Sequence, residues 1–455
     1  MHMFDASSWK RDAGLVADVL SRAPSFDKEW RIGPDEFKAR WRRMWDALER
    51  NGIDLGFVYS DEHYCGDVPY FGGNTNIHVE PVAGVVGRNG FFLLAGLEGG
   101  YCAELLSYRS GCKVRKVEML KLADEEYPVA AVTLEEVFEE ACGRRPANIG
   151  LLTPTEVVPA KMFQVLRQMF GGEENVVDAR ELLFKVKYEK SENEMRMAAE
   201  ASRICDVMLE GMLAVLRPGL YETQVAQWGH AIAKELGVET CGFDVMVCAG
   251  ESSRSIVGRA MNRVIAEGDV VMLGVGPKRD GLAACERCSV VCVDSPAKLT
   301  EDQKYWFDFV DGAYRAGLDA YVDVAENGLP ARLQEKALVD YFAARSDEVS
   351  RRYGKKIDMV SLKPYTGTHN AGYTECQEFY GAITLNSDEP LGERIVTMLD
   401  VAVRGFSRDW NDIVVPGLDY ILVEKTLGKF GRRVEVLNKL PVNVQHLVGK
   451  GFSHG

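Results

Sequence analysis

The stretch from Lys185 to Gly219 divides this chain more sharply than any other. Lys185, Lys187, Glu189 and Lys190 form a charged hinge that offers no core-facing stripe. Ser191 followed by Glu194 has the form of a capping box, in which each side chain satisfies a free amide near the other's end of the first turn. Behind it Met195, Ala198, Ala199, Ser202, Cys205, Asp206 and Leu209 fall mostly on one helical face. Arg217-Pro218-Gly219 stops the run, because proline lacks the amide hydrogen and glycine permits a left-handed turn. A helix over 191–216 is therefore expected to open a second domain, 186–455, behind a first domain of 1–185.

Both halves alternate helix and strand. After a polar lead-in over 1–34, Phe37, Trp41, Met44, Trp45 and Leu48 recur at helical spacing. Gly52 ends that helix, and strands are expected at 53–59, 82–86, 90–94 and 149–152. In the second half, helices at 222–236, 301–323 and 330–346 lie among strands through 243–293 and a strand-rich end. The fold class is α/β, of the α+β kind. With 455 residues, 46% hydrophobic and 27% charged, the chain reads as globular. A net charge of −14 argues against nucleic acid as a partner. No apolar run approaches the roughly 20 residues of a membrane span, and Met1-His2-Met3-Phe4-Asp5 is no signal peptide. Eleven scattered cysteines read as reduced thiols. A cytoplasmic protein without a membrane partner is expected.

Four segments carry a family likeness: Lys190-Ser191-Glu192-Asn193-Glu194-Met195, Leu216-Arg217-Pro218-Gly219-Leu220-Tyr221-Glu222, Asn262-Arg263 leading to Gly268-Asp269-Val270, and Glu393 through Asp400. In this order and spacing they resemble the creatinase/prolidase/aminopeptidase P superfamily. The resemblance implies a creatinase-type N-terminal domain, a "pita-bread" catalytic domain with a curved antiparallel sheet flanked by helices, and a homodimer. It also implies five ligands around two divalent ions. Carried over, these fall on Gly274, Cys285, His369, Asp400 and Asp419. Two positions have lost their carboxylate and two hold a shortened one, so a two-ion site and a metal cofactor are not expected. If one ion is retained, His369, Asp400 and Asp419 would hold it.

Ala284-Cys285-Glu286-Arg287 resembles the corresponding segment of the creatinases, in which a pocket for a guanidinium-type substrate replaces the metals. The resemblance implies that Glu286 binds a cationic group and that Arg287 holds Glu286 or a substrate carboxylate. The likeness is incomplete: no histidine lies within 250–257, and Ala382 stands where creatinase has an arginine. The resulting expectation is a metal-independent hydrolase that cleaves a C–N bond in a small guanidine, amidine or cyclic amide. His369 moves the proton, with Glu286, Asp400 and Asp419 around the reacting centre. Cys285, Arg287, Glu375 and Glu378 contact substrate, and Phe71 and His63 close the pocket of a partner subunit. The alternatives are a single-ion prolidase-like peptidase or lyase, and a non-catalytic ligand- or protein-binding member of the fold.

Overall fold

The computed structural model describes residues 5–121, 131–375, 378 and 380–452. The chain forms two compact units. One comprises 29–189 with 372–375, the other 1–28, 190–371 and 376–455. Residues 5–28 thus fold with the unit that contains 190–371.

The unit around 29–189 carries a six-stranded mixed sheet. Its strands are β1 (Gly56–Ser60), β2 (Val82–Gly87), β3 (Gly90–Ala95), β4 (Lys113–Lys116), β5 (Ile149–Leu151) and β6 (Val176–Asp178), in the order β4-β3-β2-β1-β5-β6. The expected helix is present at Pro34–Arg50 and buries Phe37, Met44 and Leu48. Proline at its first position loses no helical hydrogen bond.

In the larger unit, α1 (Ala6–Ser21) and α2 (Glu192–Val215) share a core in which Val16 and Val19 meet the Met208 and Met212 region. Asp12 of α1 is paired with Arg217 at 2.8 Å. The capping box at Ser191 and Glu194 forms as the sequence indicates, with both reciprocal bonds present; losing such a cap costs about 1 kcal/mol. Four more α-helices follow among the described residues, α3 (Glu222–Glu235), α4 (Glu301–Asn327), α5 (Arg332–Ala343) and α6 (Ser346–Tyr353). The seven-stranded antiparallel sheet uses β7 (Met246–Ala249), β8 (Val270–Val275), β11 (Glu286–Val291), β12 (Thr368–Asn370), β13 (Arg394–Arg404), β14 (Tyr420–Phe430) and β15 (Arg433–Val436). Its order is β12-β13-β14-β11-β8-β7, with β15 added on β14. Two short strands, β9 (Lys278–Arg279) and β10 (Leu282–Ala283), pair within the connection from β8 to β11.

Successive side chains on a strand point to opposite faces, and this alternation separates the two sides of the sheet. Val271, Leu273, Val275, Cys288 and Val290 pack into the core built on α2. Leu399, Val401, Val403, Ile421 and Val423 pack into the core that also holds Trp306, Phe309 and Leu338 of α4 and α5. The opposite parity, Met246, Met272, Ala402, Tyr420 and Leu422, forms a smaller apolar cluster on the other face. That face carries the pocket. Among the described residues, no helix is long and apolar enough to cross a membrane.

Candidate active site

Four residues on adjacent strands stand in one row across the inner face. Gly274 of β8 is opposite Arg287 of β11, Arg287 is opposite Glu424 of β14, and Glu424 is opposite Asp400 of β13. The Arg287 guanidinium lies against both carboxylates, with Nε donating to Glu424 and Nη2 to Asp400. Nη1 donates to the Ile256 carbonyl at 3.2 Å, and Nη2 also reaches the Tyr365 hydroxyl at 3.2 Å. Tyr365 donates to Asp400 at 2.9 Å and shares a hydrogen with Tyr420 at 2.5 Å. His369 Nε2 stands 3.3 Å from the second Glu424 oxygen.

These groups are out of water: Arg287 is 5% exposed, Asp400 4% and Glu424 1%. Burial alone disfavours the charge on Glu424, but Arg287 and His369 outweigh it and hold the carboxyl below the usual range. Burial pushes Asp400 upward, and Arg287 offsets this only in part. Burial likewise raises the Tyr365 hydroxyl, reinforced by the Asp400 charge. A guanidinium has five N–H groups, and four are engaged. The fifth, on Nη1, is engaged by no hydrogen bond among the described residues.

The cluster forms the polar end of a cavity of about 310 Å3, lined by Arg287, Tyr365, Thr366, Thr368, His369, Ala382, Asp400 and Glu424. Its apolar wall is Phe243, Met246, Ile256 and Val257. Ile256 has φ +65°, a conformation costly for a β-branched residue. The bend aims its carbonyl at Arg287.

Several sequence expectations change here. The carboxylate beside Asp400 is Glu424, not Asp419. Asp419 precedes β14 and is paired with Arg254 at 2.6 Å. Cys285 is fully buried, with its backbone tied to Thr426, and does not line the cavity. Arg287 stands in the row instead. Glu286 projects to the opposite face from Arg287, where its carboxylate meets Lys425 and the Asn438 amide at 3.3 Å. It therefore cannot bind a group in this pocket. Glu375 is exposed, whereas Glu378 is buried and its backbone amide donates to Asn370; neither lines the cavity. Phe71 is fully buried among Tyr70 and Phe91 within its own unit, so it has no free face with which to close another pocket. His63 is exposed.

The two ions implied by the resemblance do not fit this row. Gly274 supplies no donor, and at Arg287 a cation stands among the would-be ligands. His369, Asp400 and Glu424 each place one donor atom within 4.8 Å of the others, a three-ligand arrangement among the described residues. Both carboxylates, however, already hold the guanidinium.

Residues 196–357 match metallopeptidase family M24. A putative dipeptidase of Bacillus subtilis (strain 168), YkvY, is 25% identical over 319 residues, covering 67% of this chain and 80% of its own. Among solved structures, the X-Pro aminopeptidase of Thermotoga maritima MSB8 gives a TM-score of 0.69 at 19% identity, over 89% of this chain and 98% of that one. The prolidase of Pyrococcus horikoshii OT3 gives 0.66 at 18% identity, over 89% and 99%. The structural likeness establishes the fold. The expected partner, a small guanidine-type molecule, is corrected by these matches: the proteins matched are peptidases.

Proposed function

We propose that this chain, whose residues 196–357 match metallopeptidase family M24 and whose pita-bread fold is that of solved prolidase and X-Pro aminopeptidase structures, is a hydrolase cleaving the C–N bond of a short peptide without a metal ion. The observation that carries this reading is the contact of His369 with Glu424 beside a guanidinium that has one N–H to spare. A peptide carbonyl oxygen accepts that N–H and is polarised by a fixed positive charge in a water-poor site. His369 removes a proton from the attacking water and returns it to the departing nitrogen. Glu424, held ionised, orients the imidazole and stabilises its charged form. Asp400 and Tyr365 keep the guanidinium in place. The Phe243, Met246, Ile256 and Val257 wall suits an apolar side chain or a proline ring.

A second reading, a single-ion peptidase, is favoured by the three donors of His369, Asp400 and Glu424. It requires the ion to bind the carboxylate oxygens left over by Arg287, beside that residue's positive charge.

The test is release of free amino acids from a panel of dipeptides, with and without proline as the second residue. At least one should be turned over, and His369→Ala should lower kcat by about 100-fold or more. No cleavage of any dipeptide, or a His369→Ala variant as active as the wild type, would sink the peptidase reading.

A further inference from the structure

We infer that Gly274 and Arg287 are a matched pair that fills the ion position of this fold with a permanent internal cation, so that the pocket excludes divalent metals. The argument starts from the glycine. Gly274 is not among the residues with positive φ, so its backbone would accept any side chain. What requires glycine is space: a Cβ there would lie 3.0 Å from both Cγ and Cδ of Arg287 and 3.3 Å from Met246 Cβ. The arginine stem lies over β8 where a side chain at 274 would stand.

That path decides where the guanidinium ends. Running across the row, it reaches Glu424 through Nε and Asp400 through Nη2. The Ile256 carbonyl fixes Nη1, and the bend that presents it is closed by a 2.7 Å bond from the Val257 amide to the Ser255 carbonyl. Three elements thus converge on one cation: an emptied position on β8, a strained turn after β7, and the carboxylate pair of β13 and β14. A guanidinium keeps its charge across the pH range of folded proteins and, being covalently attached, is not removed by a chelator. A divalent ion could reach only the carboxylate oxygens that Arg287 does not hold, Oε1 of Glu424 and Oδ1 of Asp400, and there it would stand against the positive charge of the buried guanidinium.

The inference rests on the reading of this pocket as the reaction site for its functional meaning, but its test needs no substrate. Wild-type protein and Arg287→Ala are incubated with excess manganese(II), desalted, and assayed for bound metal by elemental analysis and electron paramagnetic resonance. Manganese is chosen because it prefers oxygen and imidazole to the chain's thiols. The wild type should retain only a trace. Arg287→Ala, with His369, Asp400 and Glu424 released, should retain about one equivalent, and adding His369→Ala should abolish it. If Arg287→Ala does not fold, Arg287→Met carries the test, because it keeps a stem packed over Gly274 and removes the guanidinium; uptake above the wild type is expected. Stoichiometric manganese in the wild type, or uptake no greater than wild type in whichever variant folds, would overturn the inference. A failed dipeptide assay with this uptake pattern intact would reject the peptidase reading alone.

Discussion

At the scale of single residues, the site turns on the geometry of one side chain. Arg287 engages two carboxylates, the Ile256 carbonyl and the Tyr365 hydroxyl and still has one N–H over, which the five donors of a planar fork allow and the three of an ammonium do not. Arg287→Lys keeps the charge and loses the fork. It should lower kcat/KM by about 100-fold with unchanged circular dichroism; near-wild-type activity would mean that charge alone suffices. His369 and Asp400 were legible in the sequence through the segments around them. Glu424 was not. Counting forward to Asp419 assigned the second carboxylate to the turn before β14, because residue counting does not fix strand register and a small slip changes the face. A signal was nonetheless present: Glu424-Lys425 interrupts an otherwise apolar strand, and such charges in a buried strand need partners.

At the scale of elements, β11 separates two charge systems by the alternation of one strand. Arg287 faces the pocket, while Glu286 faces the α2 core and pairs with Lys425, itself 2% exposed and bonded to the Leu440 carbonyl at 3.0 Å. Adjacent in sequence, the two residues have unrelated duties. Glu286→Ala leaves Lys425 without its counter-ion and should destabilise the protein by about 3–5 kcal/mol in denaturant unfolding. The fraction that remains folded should show unchanged kcat/KM. A large loss of turnover without loss of stability would return Glu286 to the reaction. Sequence could place Glu286 and Arg287 on a strand but could not say which faced the ligand, since either parity leaves one buried charge on each side.

At the scale of the whole molecule, the architecture was readable where local signals are strong. The capping box, the Pro218-Gly219 stop and the apolar periodicity locate α2 to within a residue or so. The membership of residues 6–21 was not readable: an amphipathic helix advertises an apolar stripe, not the surface that will cover it. It docks on α2 through Val16 and Val19 and is pinned by Asp12 to Arg217, 205 residues away in sequence. The second unit thereby brings an arginine, a histidine and two carboxylates from four strands to one wall of a cavity. In the proposed function, this wall cleaves peptides with the help of a built-in cation. The most direct measurement is turnover of the preferred dipeptide after exhaustive dialysis against a chelator, with and without added manganese or zinc. The account predicts the same rate in all three conditions. A rate abolished by the chelator and restored by the ion would contradict it.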